Sequence, residues 1–257
     1  MWLMKIAVLI KQVPDTWGER KLDLTTGWAD RGGDNVIDEI NERALEVALT
    51  IADADKSAEV VAVMMAPGDV SESLKKALAM GCASAVHIVD DSLAGADVAL
   101  TAATLAAAVR ELEVDLVVAG NESTDGRGGL VPAMIAEHLG LPHLGQLGSI
   151  DVSGSMVSGV RQLDEGTQRV RADLPAVISV NESNPDARFP SFKGIMGAKK
   201  KPVETRSLAD LGVAVPNAKS AVSSTSARPA RAAGTKVVDD GTAAAQLADF
   251  LVTSRLV

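Results

Sequence analysis

Residues 114–139 read VDLVVAGNESTDGRGGLVPAMIAEHL. The opening VDLVVA is a short apolar run, the pattern of a strand buried on both faces. From Leu130 to Leu139 the apolar spacing becomes helical, and a glycine, Gly140, follows as a stop signal. Between them lies a polar loop with Gly126, Gly128 and Gly129. Strand, glycine loop and helix in succession make the repeating unit of an α/β fold.

Working outward, the same alternation recurs. Residues 4–10 (MKIAVLI), 59–65 (EVVAVMM) and 84–89 (SAVHIV) are further buried-strand runs. Helical patterns separate them: 38–53, with Ile40, Ala44, Val47, Ala48 and Ile51 on one face; 69–80, closed by Gly81; and the alanine-rich 94–111. This order calls for a parallel sheet with right-handed crossovers. After Pro142 the pattern changes. Residues 147–161, 166–173 and 175–180 read as strands, and Asp164-Glu165-Gly166 is a turn between the first two. The fold class expected is α/β: a Rossmann-like parallel sheet with an appended antiparallel hairpin and an extended C-terminal arm. Residues 12–35 form a long excursion with a small hairpin expected around Thr25-Thr26-Gly27, and 181–202 show little periodicity. From 213 to 235 the chain is rich in Ala, Ser and Pro, and 241–256 is an amphipathic helix. Such a helix is not stable alone, so it docks either on its own domain or on a partner chain.

Composition narrows the function. The 257 residues carry a net charge of −9, which argues against nucleic acid, where phosphate contacts dominate affinity. Aromatics are 2% with no tyrosine, so base-stacking platforms are not expected. The apolar start, MWLMKIAVLIK, is too short to span a bilayer and lacks the features of a signal peptide. With a single cysteine, Cys82, no disulfide forms within the chain. The expectation is a soluble cytoplasmic protein without membrane insertion. His87, His138 and His143 have no metal-ligand spacing, so no metal site is expected. No nucleophile–base set stands out, so no catalytic residues are assigned. The turn after the first strand, KQVPDT, has no glycine, which excludes the dinucleotide fingerprint.

Two segments carry chemistry. In GNESTDGRGGLVP (120–132) the glycines permit close backbone approach, and free N–H groups at the helix start favour an anion. Asn121, Ser123 and Thr124 offer hydrogen bonds and Arg127 a charge; the plainer alternative is a flexible strand-to-helix loop. Ligands of open α/β sheets bind at strand C-termini, where Leu9 to Val13, Met65 to Gly68 and Asp38 to Asn41 converge. That edge suits a small adenine nucleotide. In RFPSFKGIMGAKKK (188–201), Phe189, Phe192, Ile195 and Met196 adjoin a run of lysines. This reads either as a docking loop with apolar anchors or as aromatics folded back on the core.

Taken together, these segments resemble the β subunit of electron-transfer flavoprotein, from about Met4 to Glu204. VLIKQVPDT resembles that family's first strand and turn, IDEINERALEVAL its next helix, MMAPG the loop after the second strand, and GNESTDGRGGLVP its nucleotide loop. GVRQLDEGTQRVRADLPAVIS (159–179) resembles the family signature, and FPSFKGIMGAKKKPVE the partner-recognition loop. The resemblance implies a subunit without catalytic residues, holding a structural AMP beside an α subunit that supplies most of the FAD site. Electrons would pass from acyl-CoA dehydrogenases of fatty acid oxidation through that FAD to a membrane quinone oxidoreductase. It assigns the nucleotide to Leu9, Asp38, Glu39, Ile40, Asn41 and Met65, with the loop Asn121, Glu122, Ser123, Thr124, Asp125, Gly126, Arg127, Gly128, Gly129, Leu130, Val131 and Pro132. It assigns partner docking to Phe192, Ile195 and Met196. Residues 1–212 would be the adenine-nucleotide-binding domain, and 213–257 an arm and helix packing on a partner subunit.

The departures matter. Asp38-Glu39 replaces the more usual Asn-Pro, Gln162 stands where a glutamate is common, and Gly128, Gly129 and Leu130 replace longer polar side chains. The last change favours AMP over the second FAD held by electron-bifurcating members. The rivals from other classes are an adenine-nucleotide hydrolase using Glu122 and Asp125, and a self-dimerising ATP-binding module.

Overall fold

A computed structural model describes residues 3–214, 219–231 and 233–257; residues 215–218 and 232 of the expected arm lie outside the described residues. The chain divides into two compact units, Met1–Ser224 and Thr225–Val257.

In the first unit, strand β1 (Lys5–Ile10) enters an excursion whose ends pair as β2 (Gln12–Pro14) and β3 (Asn35–Ile37). Helix α1 (Glu39–Ala54) leads to β4 (Glu59–Met65), α2 (Ser71–Met80) to β5 (Ser84–Ile88), α3 (Val98–Leu112) to β6 (Leu116–Gly120), and α4 (Val131–Leu139) to β7 (His143–Leu147). There follow β8 (Ser149–Ser153), β9 (Met156–Leu163), β10 (Gly166–Asp173), β11 (Ala176–Val180), the short helix α5 (Phe192–Ala198) and β12 (Val203–Arg206). The main sheet has the order β12-β5-β4-β1-β6-β11-β7, parallel throughout.

The apolar runs are continuous because both faces of the sheet are covered. Ile6, Val8 and Ile10 of β1 pack with Val60, Ala62 and Met64 of β4 against α1 and α2. Ala7 and Leu9 pack with Val61 and Val63 against α3 and α4. Burial of each such aliphatic side chain contributes about 1.5–3 kcal/mol before entropy is counted. His87 of β5 belongs to this interior; its Nε2 lies 2.9 Å from the carbonyl oxygen of Ala66.

Three features differ from the sequence reading. Residues 147–161 are not one strand: the chain turns at Gly154, and β8, β9 and β10 form a three-stranded antiparallel sheet rather than a hairpin alone. β7 and β12 close the two edges of the main sheet, and 181–202 contains α5. The hairpin expected in the excursion is present: Leu22 bridges Ala29, with Gly27 at φ +73° between them.

In the second unit, α6 (Ala243–Thr253) has no buried residue; Leu247, Phe250 and Val252 are exposed. No helix among the described residues is long and apolar enough to cross a membrane.

Candidate functional site

The strand order reverses at β1: the chain passes to β4 on one side of it and returns to β6 on the other. Loops that follow the two central strands therefore meet over a crevice at their C-terminal ends, the usual ligand position in open α/β sheets. Here these loops are the excursion 11–38 after β1 and the glycine loop 121–130 after β6.

Gly120, the last residue of β6, sets how closely they approach. A Cβ there would come within 2.7 Å of Ile40 Cγ2 and 2.8 Å of Asn41 Nδ2. Glycine thus lets the first turn of α1 sit against the strand end. Asn41 is buried and accepts the Lys11 main-chain N–H at 2.9 Å through Oδ1. Asp38, only 1% exposed, accepts the Thr124 main-chain N–H (2.7 Å) and hydroxyl (3.2 Å) through Oδ2. Its Oδ1 is buried and has no hydrogen-bond partner among the described residues.

Asp125 is the electrostatic centre of the loop. Its side chain is 8% exposed, and its oxygens accept from Lys11 Nζ at 2.6 Å and Arg31 at 2.7 Å. Lys11 also donates to Ser123 Oγ at 3.2 Å. Burial pushes the Asp125 carboxyl up, but the hydrogen bond and charge of Lys11, with Ser123 and Arg31, more than offset it and hold it well below the usual carboxylate range. Arg20 reaches from the excursion to donate to the Thr124 carbonyl (2.7 Å) and hydroxyl (3.0 Å).

Beyond Asp125 the loop opens to solvent. Arg127 donates its main-chain N–H to Ser123 O, has φ +48°, and lies 3.5 Å from Glu122; Gly129 has φ +62°. The N–H groups of Gly128, Gly129, Leu130 and Val131 find no acceptor among the described residues. They form an open main-chain cradle at the start of α4, with Pro132, which has no N–H to satisfy, just inside the helix.

The structure thus brings Asp38, Ile40, Asn41, Ser123, Thr124 and Asp125 together. Glu39 is exposed at the start of α1. Leu9 and Met65 lie in the layer beneath α3 and α4, on the opposite face of the sheet from Ile40. A ligand touching all of them would lie across the strand ends. A half-open hollow of about 230 Å³ adjoins the site on its acidic side, between Trp17, Asp38, Glu39 and Glu42. Sequence reasoning placed Gly120 and Lys11 in segments at this edge without giving either a role, and missed Arg20 and Arg31. Only Gly120 carried a local signal, as a glycine ending a buried strand; the three cations reach the loop across about a hundred residues of chain. Among the described residues no group of three His, Cys, Asp or Glu side chains is placed to hold a metal ion. Asp125, one of the two carboxylates a hydrolase would use, is tied to two cations.

The other segment lies on α5. Ser191 caps it by accepting the Gly194 N–H at 3.0 Å. Phe189 is 95% and Phe192 81% exposed, and Ile195 and Met196 are also exposed. The aromatics therefore do not fold back on the core. Upstream, Arg188 binds Glu46 (2.8 Å) and Asp53 (2.7 Å), and Arg43 pairs with Asp186, which fastens this segment to α1.

The family model described as "Electron transfer flavoprotein domain" matches residues 26–211. The chain is 47% identical to the electron transfer flavoprotein subunit beta of Mycobacterium tuberculosis, over 99% of this chain and 100% of that one. It is 34% identical to the subunit of the same name from Syntrophomonas wolfei (92% and 91% covered). It is also 35% identical to the caffeyl-CoA reductase-Etf complex subunit CarD of Acetobacterium woodii (82% and 80% covered). With the doubly wound sheet and the end-to-end match in view, the chain belongs to the family of electron transfer flavoprotein β subunits.

Proposed function

We propose that this chain holds a structural AMP at the crevice between β1 and β6 and pairs with an α subunit that carries most of the FAD site. What supports this most is the set of unsatisfied N–H groups of Gly128 to Val131 at the start of α4, together with a buried Asp38 carboxylate oxygen that lacks a donor at the other end of the same loop's contacts, by Thr124. The N–H groups suit a phosphate; a ribose hydroxyl or the adenine amino group suits Asp38 Oδ1. Leu9, Asp38 to Asn41, Met65 and Asn121 to Pro132 would surround the nucleotide. FAD in the partner supplies the redox chemistry; this chain's residues bind, stiffen and present a surface.

That surface is α5. Phe192, Ile195 and Met196 offer apolar anchors to flavin dehydrogenases, in particular acyl-CoA dehydrogenases, and the complex would hand electrons to a membrane quinone oxidoreductase. Such encounters use small interfaces, so individual anchors matter. Residues 213–257 would pack on the α subunit, covering the exposed apolar side chains of α6. On this reading the chain has no reaction of its own and works in the cytoplasm.

A second reading has one observation in its favour: the similarity to a subunit of a caffeyl-CoA reductase-Etf complex. A bifurcating carrier would hold a second FAD in place of AMP. The short loop side chains at Gly128, Gly129 and Leu130 favour AMP. Co-expression with the α subunit tests the proposal. A yellow one-to-one complex with one flavin per pair is expected; two flavins per pair would favour the second reading, and a colourless homodimer would overturn both.

A further inference from the structure

α5 and α2 meet where Gly194 approaches the Ala79 carbonyl, and beside that contact an open hollow of about 340 Å³ remains between the two helices. Its walls are Ala79, Pro190, Ile195 and Ala198, joined by Lys75, Lys76 and Lys199. Lysine lays its methylene stem on apolar surface and keeps its ammonium in water, so the interior is carbon and the mouth is cationic. Glu72 is the one carboxylate residue on the lining. Lys76 pairs with Glu42 of α1, whereas Lys75 and Lys199 are exposed and form no ion pair among the described residues. Asp69 lies within electrostatic reach of Lys75, but the stretch from Phe189 to Lys201 adds Lys193 and Lys200 and holds no carboxylate, so the balance stays positive in a chain of net charge −9.

We infer that this hollow is a receptor on the docking surface: it takes an apolar side chain of the dehydrogenase that is flanked by carboxylates, with α2 as well as α5 forming the contact. The inference rests on the docking role proposed above for α5. Phe192, Ile195 and Met196 are exposed projections; the hollow is a depression on the same surface, with Ile195 belonging to both. An apolar anchor entering a pocket supplies binding energy at the centre of a small interface. The unpaired ammonium groups of Lys75 and Lys199 at its mouth attract carboxylates around that anchor and speed the encounter, an effect that salt weakens.

The test uses the complete two-chain complex and follows flavin reduction by an acyl-CoA dehydrogenase in stopped flow, over a range of dehydrogenase concentrations and salt. Lys75→Glu and Lys199→Glu should each raise the concentration for half-maximal rate at least about tenfold at low salt, the change that ~1.4 kcal/mol brings. The difference should shrink as salt rises, with Tm and flavin content unchanged. Arg110→Glu makes the same change of charge on α3, which packs on the other face of the sheet from α2, and should have little effect; an equal effect would trace the loss to net charge and overturn the inference. Lys75→Met and Lys75→Ala both remove the charge, but only Met keeps a stem on the hollow's wall, so Lys75→Ala should be the slower; equal rates would overturn the apolar receptor. Loss of flavin or of the α subunit in the Lys→Glu variants would put the hollow in the subunit interface and also overturn it. If Phe192→Ala slows reduction while both Lys→Glu variants do not, the inference alone falls. If none of the three changes the rate, the docking role of α5 falls and takes the inference with it.

Discussion

Gly194 gives the sharpest test of how α5 is held. A Cβ at this position would lie 2.2 Å from the Ala79 carbonyl oxygen of α2. The obstacle is main chain, which no rotamer change can move, so in Gly194→Ala the short helix must back away by about 1 Å to regain van der Waals distance. Overpacking of this kind costs about 1–3 kcal/mol. For a domain of this size that lowers Tm by about 2–4 °C per kcal/mol. Gly197, one turn on in the same helix, has nothing within 4 Å of its added Cβ. Gly197→Ala should be neutral or stabilising, by up to about 1 kcal/mol, through helix propensity. The pair is compared by thermal unfolding of the purified complex and by the rate at which a dehydrogenase reduces its flavin. Gly194→Ala should lower Tm and slow reduction, because Phe192, Ile195 and Met196 ride on the displaced helix; Gly197→Ala should do neither. Equal Tm values for the two variants, or Gly197→Ala as the worse, would refute the packing argument.

Further expectations follow from other contacts. Phe192→Ala should slow flavin reduction by the dehydrogenase with flavin content intact, measured by stopped-flow absorbance; unchanged kinetics would remove Phe192 as an anchor. Arg188→Met should cost about 1–3 kcal/mol by taking the guanidinium from the half-buried Glu46, which keeps only the main-chain N–H of residue 188 and the Thr50 hydroxyl, seen in denaturant midpoints. The hydrogen bond from Arg188 is the main reason the Glu46 carboxyl lies below its ordinary value of 4.5. A carboxyl depressed on folding stabilises above its unfolded value and loses that contribution as pH falls through the folded one. Arg188→Met should therefore flatten the acid limb of the stability profile below about pH 4.5; an unaltered limb would contradict the assignment. Cys82 is buried, and burial pushes its thiol up to about 12. A neutral thiol-specific reagent should label it only on unfolding, and fast labelling of the folded complex would show the site to be open.

The sheet was legible from residues 4–10, 59–65, 84–89 and 114–119 because strands buried on both faces declare themselves as apolar runs. What failed did so for physical reasons. β12 is exposed and short, and its pairing with β5 is set more than a hundred residues away. β7 contains Gly145 and Gln146, which break the apolar run. α5, with two glycines in seven residues, has poor helix propensity; its place is fixed by packing on α2, as Gly194 shows. At the site, the glycine loop and the Asp38–Asn41 turn could be read because main-chain chemistry leaves local marks. The cations could not, since Lys11, Arg20 and Arg31 acquire their roles only when the β1 and β6 loops meet.

On the proposed function, a mononucleotide stiffens this subunit so that its partner can retain flavin. The decisive experiment refolds the two chains from denaturant with FAD, with and without AMP, and measures the yield of yellow heterodimer. A ligand that binds only the folded state raises its population by mass action, so the yield should climb with AMP concentration and saturate. A yield indifferent to AMP would show that the nucleotide does not stiffen this subunit.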